Sequence, residues 1–199
     1  MQCLLPISYL GPVAYYSAML QSEEIYIEKK EHFIKQSLRN RCTIMGANGS
    51  QTLIIPKERK SSDKTLISDI NISNQDNWQK SHWQSIVSAY NSSPFFEYYK
   101  DELEHFYISE QTNLFDFNLQ LTKTILGFLQ EEKKLNLTTE YHKEFNGTDL
   151  RNHNFKTDKT EEYEQVFSEK HDFIPHLSIL DLLFNLGPET TSYLERQTI

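Results

Sequence analysis

The sequence predicts an α/β domain covering residues 1–199, with a mixed β-sheet that includes a β-hairpin and is flanked by helices. Three observations lead there. Short β-prone runs interleave with stretches of helical periodicity. An Asn-Gly pair sits between two β-prone runs, the strongest short-range hairpin signal. Aromatic residues make up 13% of the chain and Gly and Pro number only 6 each, which suits a packed core rather than a low-complexity chain.

Residues 2–5 read as a short buried strand ending at Pro6. After the Gly11-Pro12 breaker, Val13 to Leu20 reads as a helix, with Pro12 suited to its first turn. Ile25-Tyr26-Ile27 is β-prone. Lys35 to Arg41 is read as extended and leads into the hairpin, whose arms are Cys42 to Met45 and Thr52 to Ile55, ended by Pro56. Residues 57–65 suit a polar loop. Leu66, Ile70 and Ile72 fall on one side of a period-2 pattern and suggest a strand. From Asp76, a plausible N-cap, Trp83, Ile86, Val87 and Tyr90 follow helical spacing. Further helices run from Ser93-Pro94 through Leu103 and from Asn113 to Leu129. Leu135 to Thr139 alternates as a strand, and residues 142–162 read as loop. Ser178 and Asp181 match a capping box for a helix through Phe184; Gly187 suits its left-handed cap, and Pro188 opens the last helix.

Charge narrows the function classes. The net charge is −8, which argues against general nucleic-acid binding and against an anionic membrane surface. No apolar run approaches the roughly 18 residues of a membrane-spanning helix, and the N-terminus lacks the basic region of a signal peptide. Two cysteines without a CxxC pair fit buried thiols in a reducing compartment, so a cytoplasmic location is expected. The 7 histidines show no metal-ligand spacing, and neither a dinucleotide fingerprint nor a Walker loop is present. No metal and no cofactor are implied.

Against that acidic background, Lys35-Gln36-Ser37-Leu38-Arg39-Asn40-Arg41 is a basic strip. If extended, it places Lys35, Arg39 and Arg41 on one face, where guanidinium forks match a phosphate or carboxylate. Asn40 would face the other way and brace the loop. The alternative is a solvated edge strand whose charge discourages aggregation. A second candidate is His82 with Trp78 on the same helix face, the His able to act as acid or base; its alternative is a satisfied histidine in an aromatic core. His176 is a third. Its neighbours Ser178 and Asp181 read as caps rather than as a catalytic triad, because no strained nucleophile elbow is present.

These stretches converge on one family. The opening Tyr9-Leu10-Gly11-Pro12-Val13-Ala14-Tyr15-Tyr16, the Lys35 to Ile44 block, the hairpin ending in Ile55-Pro56, Trp78 to Tyr90 with Lys80 and His82, Ser93-Pro94-Phe95-Phe96, and the closing Ser178 to Pro188 resemble the WbqC-like family in order. Two departures stand out. Leu5 to Tyr9 replaces a His-Gln-Pro-like opening, and a Gly- and Ser-rich segment of longer members is missing before the closing block. The resemblance implies a context in bacterial surface-polysaccharide gene clusters. Within it, the expected protein is a small cytoplasmic transferase acting on an anionic activated or nucleotide-linked sugar. His82 and Tyr9 would be catalytic, and Lys35, Arg39, Asn40, Arg41, Lys80, Tyr15 and His176 would bind the anion or substrate. The alternative is a non-catalytic anion- or partner-binding protein of the same pathway.

Overall fold

Cys3, Leu4 and Leu5 are almost wholly buried on both faces of the first strand, the mark of a strand at the centre of a parallel sheet. The computed structural model describes residues 1–59 and 64–197. In chain order, β1 (Gln2–Pro6), α1 (Val13–Leu20) and β2 (Glu24–Glu28) precede the hairpin strands β3 (Arg41–Gly46) and β4 (Gly49–Ile54). Three long helices follow: α2 (Trp78–Tyr90), α3 (Phe96–Ile108) and α4 (Leu114–Phe128). The chain then supplies β5 (Leu135–Leu137), β6 (Thr148–Asp149), α5 (Ile179–Leu186) and α6 (Thr190–Arg196), with a 3₁₀ turn over Gly187–Glu189 between the last two.

The fold is α/β, as predicted: a parallel sheet in the order β5-β2-β1-β6, an antiparallel hairpin, and flanking helices. The hairpin forms a two-stranded sheet of its own. It packs on α2 and α5, where Met45 N–H donates to the Tyr90 hydroxyl at 3.0 Å and Ser178 N–H to the Thr43 carbonyl at 2.7 Å. Every residue of α1 is buried, so this short helix is stabilised by packing on α5 and α6 rather than by its own propensity. Tyr9, Tyr15, Tyr16, Tyr90, Phe96, Phe115 and Phe184 are the bulkiest fully buried side chains, each contributing about 1.5–3 kcal/mol of burial energy.

Several local expectations are corrected. Lys35 to Asn40 is a series of turns, not an extended strand, so its side chains do not alternate. Residues 66–73 form a 3₁₀ turn at Ile67–Asp69 and isolated bridges, Lys57 to Ile72 and Asn71 to Asn113, instead of a strand. Asp76 does not cap α2; its N-cap is Asn77, with no side-chain bond. Ser178 does cap α5, accepting from Leu180 N–H, but Asp181 turns away to the Tyr163 hydroxyl (2.7 Å) and the Gln165 amide (3.0 Å). Its burial pushes the Asp181 carboxyl up to about 6, partly offset by those donors and by Tyr90. The predicted loop at 142–162 contains β6, and residues 60–63 of the loop at 57–65 lie outside the described residues.

Candidate functional site

The order β5-β2-β1-β6 places a switch point beside β1. The chain builds outward through β2 and β5, then returns to pair β6 on the other side. In open parallel sheets, ligands bind outside the carboxyl ends of strands at such a point, because the loops there diverge. Here the loops leaving β1 and β6 border a cleft of about 400 Å³. Leu10 and Pro12 come from the first loop and Arg151 to Lys156 from the second; Gln36 to Arg39, Arg41 to Thr43, His176 and Ser178 add to the wall.

Its charge runs against the composition. The chain has 28 acidic residues, yet none lines this cleft among the described residues, whereas three of the five arginines do. Two of those three are already paired. Arg39, 2% exposed, donates Nε–H to Glu31 Oε1 at 2.7 Å, and a second guanidinium N–H reaches the Arg151 carbonyl at 3.2 Å. Arg151 is forked onto Asp149 and reaches Glu28 Oε2 at 3.1 Å. Glu28, fully buried at the end of β2, also accepts from the Thr138 hydroxyl and Lys30 N–H. This network ties the carboxyl ends of β2 and β6 together across β1. Arg41 differs: its Nε is buried and has no hydrogen-bond partner among the described residues, while the side chain is part-exposed at the cleft wall. A desolvated, unpaired guanidinium N–H is costly unless a ligand accepts from it.

The cleft is also lined by His153, whose Nε2 lies 2.8 and 2.9 Å from the two Asp158 carboxylate oxygens. A carboxylate at one ring nitrogen holds the proton there and leaves Nδ1 as an acceptor. His176 also lines the cleft, 3.4 Å from the Thr160 hydroxyl through Nδ1. Partial burial lowers its pKa from the usual value; Lys156 acts the same way and Asp158 opposes. Backbone strain concentrates here too. Of the four non-glycine residues with positive φ among the described residues, Leu10 (44°), Gln36 (56°) and His176 (64°) all line the cleft, and such strain clusters at functional sites.

The remaining sequence candidates lie elsewhere. Lys35 is exposed and borders a separate depression beside Arg41, outside the cleft. Asn40 is buried and its amide donates to the Ile55 carbonyl at 2.9 Å, bracing the hairpin base. Lys80 is exposed on α2. The Tyr15 hydroxyl donates to the Pro6 carbonyl inside the core. Tyr9 and His82 are joined, hydroxyl to Nδ1, at 2.9 Å, with Tyr107 bonded to the same hydroxyl. All three are buried against Trp78 and Phe117, and none lines the cleft.

Burial lowers the His82 pKa from 6.5 to about 4, with a bond to the Ile54 carbonyl opposing. The folded protein therefore holds His82 neutral while the unfolded chain protonates it. The stabilisation is complete above pH 6.5 and is lost as pH falls toward 4, about 3 kcal/mol in all. Urea titrations should show wild-type stability falling more steeply over that window than His82→Gln stability; parallel slopes would place the buried proton elsewhere.

Sequence reading missed His153, Asp158, Arg151 and Lys156. The only local signal was the unpatterned polar loop that carries them. Among the described residues, no three His, Cys, Asp or Glu side chains converge as a metal site, and no helix is long and apolar enough to cross a membrane.

Fold and cleft define an α/β protein with a basic crevice at a sheet switch point. The chain belongs to the WbqC-like protein family, whose model matches residues 8–150 and 141–193. It is 27% identical to the uncharacterized protein Rv1507c of Mycobacterium tuberculosis (strain ATCC 25618 / H37Rv), covering 94% of each chain. No solved structure matches it.

Proposed function

We propose that the cleft binds a phosphate-bearing substrate and that the protein is a small cytoplasmic transferase of bacterial surface-polysaccharide biosynthesis, acting on a nucleotide-linked or similarly activated sugar. The observation that carries the anion reading is a cleft with no lining carboxylate among the described residues, holding Arg41 with its buried Nε unpartnered. The pathway context rests on family membership. Two free buried cysteines, Cys3 and Cys42, support a reducing compartment.

In this reading Arg41 and Lys156 neutralise the phosphate, while the paired Arg39 and Arg151 shape the floor. His153, oriented by Asp158, takes the proton from an acceptor hydroxyl at Nδ1. The acceptor oxygen bonds to the sugar's anomeric carbon, the carbon–oxygen bond to phosphate breaks, and the electron pair leaves with the phosphate held by Arg41. His82 and Tyr9 serve the core beneath.

The test is a thermal-shift series with pyrophosphate and uridine diphosphate on wild type and Arg41→Gln. A ligand at a hundredfold excess over its dissociation constant stabilises by about 2.7 kcal/mol. Removing one charge-assisted contact worth about 1.5–3 kcal/mol should weaken binding roughly tenfold to a hundredfold, with the unliganded melting temperature no lower than that of wild type. Equal shifts in both proteins, or none in wild type, would sink the anion site. Binding that survives His153→Ala while sugar transfer is lost supports catalysis. Binding without transfer by wild type favours the anion-binding, non-catalytic alternative.

A further inference from the structure

A second cavity, of about 410 Å³, adjoins the cleft at the carboxyl ends of β2 and β5. Ile34, Arg151 and Asn152 line both spaces, so a single ligand can straddle the shared wall. On its far side Tyr141 is 50% exposed, the most solvent-open of the large apolar side chains at either cavity. The Arg151 guanidinium lies 4.7 Å from the Tyr141 ring centroid, covering one face. Arg151 itself cannot swing away, since Asp149 and Glu28 hold it. The phenol is thus backed by a rigid cation on one face, and half of its surface remains open beside the cavity. A flat ring laid there continues the guanidinium–phenol stack, which selects a planar π-system.

The polar lining is mixed: Lys30 and His32 stand there with Glu31, Arg151 and Asn152. Glu31 is spent on Arg39, and Arg151 on its carboxylates, so neither presents a free charge. Asn152 offers an amide donor and acceptor suited to a base edge. What sets this space apart from the neighbouring cleft is its half-exposed phenol ring.

We propose that this second cavity is a nucleobase subsite, with the base stacked on Tyr141 and its phosphates running through the shared wall to Arg41. This deepens the anion-site reading, resting on it for the position of the phosphates, and it names the ligand class as a nucleotide.

Calorimetric titrations of the full chain with pyrophosphate, uridine diphosphate and adenosine diphosphate test it, alongside NMR titrations with uridine, adenosine and methyl glucoside. At least one nucleoside diphosphate should bind wild type about tenfold or more tighter than pyrophosphate, the size expected of one stacked base. Tyr141→Ala should erase that gain and leave pyrophosphate affinity unchanged, whereas Tyr141→Phe should keep it. Arg41→Gln should weaken pyrophosphate and nucleotides alike. The two readings fail differently. Pyrophosphate binding with no nucleoside gain, or with a gain indifferent to Tyr141→Ala, overturns the base subsite alone. Silence toward pyrophosphate, with Tyr141-dependent shifts from a nucleoside, overturns the anion site and supports the base subsite. Shifts from methyl glucoside and none from either nucleoside would make the cavity a sugar site and overturn the proposal.

Discussion

Replacing Arg151 with Ala is expected to destabilise the protein by about 3–5 kcal/mol, the usual cost of removing one partner from a buried ion pair. Glu28 has no exposed surface, and without Arg151 its carboxylate keeps, among the described residues, only the Thr138 hydroxyl and Lys30 N–H as donors. Asp149 loses a forked partner as well, but its side chain is 35% exposed, so solvent screens that loss. The damage falls on the sheet itself, since these carboxylates stand on β2 and β6 at either side of β1. Arg151→Lys keeps the charge without the fork and should recover only part of the stability. Pairing also lowers the Asp149 pKa. Its contribution is present above the unfolded carboxylate value and lost as pH falls through the lower folded one, so wild type should surrender part of its advantage over Arg151→Ala in acid. Chemical denaturation at pH 7 and near pH 3 checks both points. A loss under 1 kcal/mol at pH 7 would mean the network relaxes onto other donors.

Gly187→Ala should be comparably severe, for steric reasons. Gly187 closes α5 with φ 52° and ψ −120°, a conformation L side chains rarely adopt. A Cβ there would lie 2.4–2.7 Å from three atoms of the Phe95 ring. That ring cannot simply move off, because Phe95 N–H is bonded to the Phe184 carbonyl and its neighbour Phe96 is packed on Phe184. Overpacking of this kind costs about 1–3 kcal/mol, and the backbone strain adds about as much. Thermal denaturation is the check, with Phe95→Ala as a second substitution: if the clash dominates, the double variant should regain stability over Gly187→Ala. No regain would assign the cost to the backbone alone.

Both results concern residues that local patterning describes unequally. Gly187 was legible in part: a glycine after a helical run, followed by Pro188, reads as a left-handed cap, and the chain does take a positive φ of 52° there, although ψ −120° lies away from the left-handed helical region. The hairpin was legible for the same reason, since Asn48-Gly49 lies between β-prone arms and Gly49 takes φ 103°. Arg151 was not. Its partner Glu28 is 123 residues away. The strand that positions it, Thr148–Asp149, is two residues long and too short for any period to show. The strip from Lys35 to Arg41 was legible as an oddity of charge but not as geometry. Turns send Arg39 inward to Glu31 and leave Arg41 at the cleft, where an extended strand would have set them side by side.

The sequence by itself determined the α/β class, the helices and the hairpin, and the resemblance that places the chain in its family, because these depend on neighbours within a turn or two and on motif order. The tertiary structure alone decided which charged residues are spent on one another and which remain for a ligand. Periodicity cannot carry that information: Arg151 meets the Glu28 carboxylate, 123 residues distant, at 3.1 Å only when β6 closes the sheet beside β1. That closure brought His153 to the cleft wall, the packing of α2 on Tyr9 made His82 a core residue, and Arg41 is left as the cation through which the proposed function can be tested.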